Sequence, residues 1–115
     1  MKREDMRPFH EDELISQIGT MNVFAISGGR VNVWRESSGE GTLELELPVS
    51  AGYRVRVYLA WDDTYTVERV LVRKGVVTKR RTVEGVYCDQ VGEVAYLASC
   101  YKSHPEFGTL EAVGA

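Results

Sequence analysis

The sequence is poor in the residues that most often carry chemistry. Its 115 residues hold two histidines, His10 and His104, and two cysteines, Cys88 and Cys100, so a catalytic or metal-ligating set has little to draw on. No HExxH, CxxC or GKS/T signature occurs. Neither cysteine stands in a recognised nucleophile motif. No apolar run approaches the ~20 residues of a membrane-spanning helix. The N-terminal stretch MKREDMRPFHEDE has no apolar segment of the kind a secretion signal needs. Positive charge is not in excess either: a net charge of -3 speaks against a protein that coats nucleic acid by neutralising phosphates. From these absences we expect no enzymatic activity, no metal, no cofactor, no membrane partner and a cytoplasmic location.

The strongest signal present is a helix over residues 86–102. Tyr87, Val91, Val94, Ala95, Ala98 and Tyr101 recur at helical spacing, with Asp89 in the first turn and Lys102 in the last, where each charge suits the helix dipole. Ala95, Ala98 and Gly92 keep that side small, which suits close packing on a sheet. The opposite ridge holds Asp89, Glu93, Tyr96 and Cys100, with Leu97 beside it. It reads either as a solvated face or as an acidic pair that meets a cation or a basic partner. Twelve residues along one helix put Cys88 and Cys100 about 18 Å apart, against the roughly 7 Å limit for a disulfide. Free thiols fit a reducing compartment.

Taken in order, residues 1–9 read as a flexible leader and 10–18 as a short helix. Glu11, Asp12 and Glu13 fill the first turn of that helix and Gly19 stops it. The period then falls to two. Residues 21–27 read as a strand, Gly28–Gly29 as a hairpin turn and 31–35 as the partner strand. Residues 27–30 also admit an anion nest, since glycines let successive N–H groups converge. After a turn at 37–41, residues 42–49 and 53–61 alternate cleanly. Arg54 and Arg56 are placed to face Glu44 and Glu46 across an antiparallel pair. Asp62 and Asp63 mark a turn. Residues 65–73 form a strand whose alternation slips at 68–69, where a bulge is expected, and 76–83 form the next. Residues 103–115 read as a loose tail. The sum is one α+β domain: a mainly antiparallel six-strand meander covered by an N-terminal and a C-terminal helix, a two-layer sandwich.

Three stretches carry a resemblance. AISGGR at 25–30, YRVRVYLAWDDTYTVERV at 53–70 and GVYCDQVGE at 85–93 resemble, in that order, a family of small bacteriophage and prophage proteins of the actinobacterial-phage type. The family has no established activity, so no catalytic residue carries over. The resemblance implies a phage-encoded protein made in a bacterial host cytoplasm, and draws attention to the glycine turn and the DQxxE stretch. The expected function is a non-enzymatic protein that binds a host or phage macromolecule, preferably a protein. The expected contacts are Asp89, Glu93, Tyr96 and Leu97 together with Ser27, Gly28, Gly29 and Arg30. The alternative is a nucleic-acid accessory protein that grips DNA with the basic hairpin: Arg73, Lys74, Lys79, Arg80 and Arg81. A sheet edge or the Leu97 ridge leaves a homodimer open.

Overall fold

The computed structural model describes residues 6–35 and 41–113. Residues 37–40 of the expected turn, residues 1–5 of the leader and the last two of the tail lie outside the described residues. The elements are α1 (Glu11–Ile18), α2 (Thr20–Ser27), β1 (Asn32–Arg35), β2 (Thr42–Pro48), β3 (Tyr53–Leu59), β4 (Tyr65–Arg73), β5 (Val76–Val86), α3 (Val91–Ser99) and β6 (Thr109–Glu111). The six strands form one antiparallel sheet in sequence order, β1 to β6. The three helices pack on one another and on one sheet face, burying Leu14, Ile18, Val23, Ile26, Val91, Ala95 and Ala98 against Leu45, Leu47, Val55, Val57 and Val67. The α+β sandwich is therefore present, with one open sheet.

Its elements differ from expectation in four places. Residues 21–27 are a helix, not a strand. Gly19, at φ 95°, ends α1 through its N–H to the Ile15 carbonyl and starts α2 by accepting from the Val23 N–H. A segment apolar on most sides has no clear period, so a short helix and a buried strand look alike in sequence. The count of six strands is kept because the tail supplies β6, paired with β5 through Arg81↔Leu110. The helix expected at 86–102 is only Val91–Ser99. Val86 still belongs to β5 opposite Tyr65, and residues 87–90 turn the chain. Finally, the leader is docked at its end: Phe9 is buried and bridges Thr42, while Arg7 bridges Leu59 and pairs with Asp63.

Gly92 explains the tight corner between the helices. A Cβ there would collide with the Ile18 carbonyl oxygen, which also accepts a 2.9 Å hydrogen bond from Asn22 Nδ2. Thus α3 rests on the junction of α1 and α2. The expected bulge at 68–69 is absent. Glu68 and Arg69 pair in regular register with Arg56 and Val55, and the shifts fall at Tyr65/Val67 and Leu71/Val72. The alternation slips because Arg69 holds a slot on the helix-covered face, while apolar Val70 lies on the other.

Candidate functional site

The expected contact residues fall at different places. Asp89, in the turn before α3, and Glu93, on α3, are exposed, and Tyr96 is 43% exposed. Leu97 is half-buried and packs on the core, so it does not join an exposed ridge. Gln90 takes the N-cap position of α3 without a side-chain cap hydrogen bond. Ser27 to Arg30 form the end of α2, not a hairpin turn. Gly28 adopts the left-handed conformation at φ 66° and donates its N–H to the Phe24 carbonyl at 2.8 Å, the usual way a helix stops. Ser27 is buried. Its hydroxyl lies 2.6 Å from the Arg30 carbonyl and 3.1 Å from that of Val23, so it serves the cap. The α3 N-terminus meets α2 at Asn22, and Gly28 is six residues further on, about 9 Å along the axis. The glycine turn and the DQxxE stretch therefore meet the helix pair at separate points.

The basic hairpin is split by strand alternation. Arg80 lies on the open face, 3.5 Å from Glu68. Arg81 is on the helix-covered face and donates to the carbonyls of Phe107 at 2.6 Å and Gly108 at 3.4 Å. Arg73 reaches back to the Ala51 carbonyl, and Lys74 stands at the turn with φ 52°. Lys79 is exposed. The five cations do not make one surface.

The open face carries its own charge ladder. Glu46 is fully buried between Arg56, at 2.9 Å, and Arg54, at 3.3 Å, with Asn32 Nδ2 donating at 3.3 Å. Glu44 instead lies opposite Trp34. Burial pushes the Glu44 carboxyl up to about 7, against the pull of Arg56 and with the help of Glu68 and Glu46. Burial also raises Glu68, opposed by Arg80. Tyr58, 2% exposed beside these carboxylates, is raised by the same desolvation. Among the described residues no group of three metal-ligating side chains converges.

Two features were not singled out in the sequence. The first is the outer side of α2. Met21 is 83% and Phe24 68% exposed, and Ala25 and Gly28 complete the stripe at spacings of three, four and seven. That spacing was available, but the strand assignment hid it. The second is Arg69, 4% exposed beneath α3. Its guanidinium donates to four carbonyls, those of Ala98 (2.7 Å), His104 (2.7 Å), Leu97 (3.2 Å) and Pro105 (3.3 Å). It ties the negative end of α3 and the following segment to β4. An arginine next to Glu68 in an otherwise alternating strand gives no warning of this in sequence.

No protein-family model, no curated protein and no solved structure matches the chain. Among the described residues no helix is long and apolar enough to cross a membrane.

Proposed function

We propose that the chain is a non-enzymatic, phage-type protein of the host-cell cytoplasm, and that its helical layer docks on a partner protein of host or phage. The observation that carries this is the stripe of α2 turned to solvent, Met21, Phe24 and Ala25. Leaving such a side chain exposed forgoes about 1.5–3 kcal/mol of burial, which a partner would recover. The same layer exposes Asp12 and Glu13 on α1, Asp89 in the turn before α3 and Glu93 on α3. The partner surface that fits is an apolar patch rimmed by lysine or arginine. Asp89, Glu93 and Tyr96 keep a place in this reading as rim. Ser27, Gly28 and Gly29 shape the end of α2.

The test is affinity capture from bacterial lysate with the wild-type chain, Met21→Asp/Phe24→Asp and Lys74→Ala/Lys79→Ala, alongside sedimentation of each. The expected result is one basic protein held in stoichiometric amount by the wild type and the lysine variant and lost with the α2 variant. Equal capture by all three would sink the surface. A dimer of the chain that the α2 variant abolishes would make a second copy the occupant and overturn the docking on a different protein.

A further inference from the structure

A second site lies away from α2, beyond the C-terminal end of α3. A cavity of about 520 Å³ opens there between β3, β4 and β5, Tyr101 and the β6 segment. That size lies within the ~300–1,000 Å³ of small-molecule pockets. Sheet register builds its floor. Arg69, Arg81 and Leu110 form one cross-strand row, and Tyr53, Leu71 and Lys79 form the next. Tyr53 and Tyr101 stack face to face at 4.1 Å and make one wall. The Tyr101 hydroxyl is fixed on Ser50 Oγ at 2.9 Å.

The charge of this cavity is one-sided. Arg69 and Arg81 are direct cross-strand partners, a like-charge arrangement that destabilises a sheet unless something offsets it. Among the described residues, neither they nor Lys79 lies within ion-pair distance of a carboxylate. Glu111 also borders the cavity, but in the sheet register it lies opposite Arg80, which is on the open face, and its charge acts on Glu68 there. The three cations divide the work. Arg69 spends its hydrogen bonds on backbone carbonyls and supplies a fixed, desolvated positive charge. Arg81 spends Nε and Nη2 likewise, and among the described residues neither its Nη1 nor the Lys79 ammonium has a protein acceptor. Donors and field thus converge on a space whose apolar walls include Leu71, Leu110 and the tyrosine pair.

We propose that this cavity is a binding site for a small organic anion, one or two acidic oxygens on a flat apolar body. The acidic oxygens meet Lys79 and Arg81, the charge is held by the field of Arg69, and the apolar body lies against Leu71, Leu110 and the tyrosines. The buried guanidinium then has a counter-charge that the described part of the chain does not supply.

The experiment is a titration of the full, nitrogen-labelled chain with 2-naphthoate, followed by amide NMR, with neutral 2-naphthol as control. Saturable shifts are expected at Leu71, Lys79 and Leu110. Lys79→Met, at an exposed position that leaves the fold intact, is expected to weaken binding about tenfold, as losing one charge-assisted contact does. Leu110→Glu, which brings a carboxylate over the cavity, is expected to abolish it, and added salt to weaken it. Absence of saturable shifts at about 10 mM naphthoate would overturn the proposal. Equal affinity for naphthol, or an unchanged affinity in Lys79→Met, would do so as well.

Discussion

Single side chains on the open sheet face show how much charge this small molecule keeps out of water. Glu46 is tolerated there because two guanidiniums and an amide meet its oxygens. Among the described residues Glu44 has no such partner at hydrogen-bond distance, and burial holds it neutral-leaning instead, with a carboxyl near 7 against an ordinary 4.5. A carboxyl raised on folding binds its proton more tightly in the native state. Its contribution is therefore fully present below pH 4.5 and is lost as pH rises through about 7. Glu44→Gln is expected to match the wild type near pH 4.5 and to be more stable near pH 8, by about 2–3 kcal/mol at most. Urea unfolding at the two pH values checks this, and an equal difference at both would refute it. The opposite charges of β2 and β3 showed in the sequence that these strands are neighbours, but not their register: Arg56 lies opposite Glu46 and Arg54 opposite Pro48, so Glu44 has no facing arginine on β3. Arg69 was not legible, because its meaning comes from four carbonyls 28 to 36 residues away.

At the scale of elements, local pattern and packing disagree most around the helices. The alternating strands β2, β3 and β4 were legible to within two residues of their ends, since one face of each is apolar and turn residues bound them. Helix α2 was not, because its exposed stripe is as apolar as its buried one and the period is erased. Helix α3 was overextended: its small-residue face was read correctly, but nothing local says that Val86 stays in the sheet. Gly92 is where α3 meets α1 closely, and helix propensity gives the wrong sign there. Gly92→Ala should gain about 1 kcal/mol in propensity. The added methyl against the Ile18 carbonyl outweighs that, and a net loss of about 1–3 kcal/mol is expected from forced separation of the helices. Thermal unfolding decides it, and a raised midpoint would show that α1 and α3 are not locked together at this point.

For the whole molecule, the distribution of charge matters more than its sum. The chain is acidic overall, Asp12, Glu13, Asp89 and Glu93 are exposed on its helical side, and its hairpin cations are parted by the sheet. A titration of fluorescent single- and double-stranded DNA at low and moderate salt is expected to give no salt-dependent binding. Tight binding lost in Lys79→Ala/Arg80→Ala/Arg81→Ala would restore the basic hairpin as the working surface. The sheet order has a further consequence, for the time course of folding. From β1 to β5 each strand pairs with the one before it across a short connection, which costs little chain entropy, while the pairing of β6 with β5 spans α3. The docking of α1 and α2 on α3 is different, because it joins residues near 20 to residues near 92. Strands β1 to β5 can assemble hairpin by hairpin, whereas the helical layer closes across most of the chain. The surface proposed to meet a partner is thus built on the most entropically demanding contact of the fold.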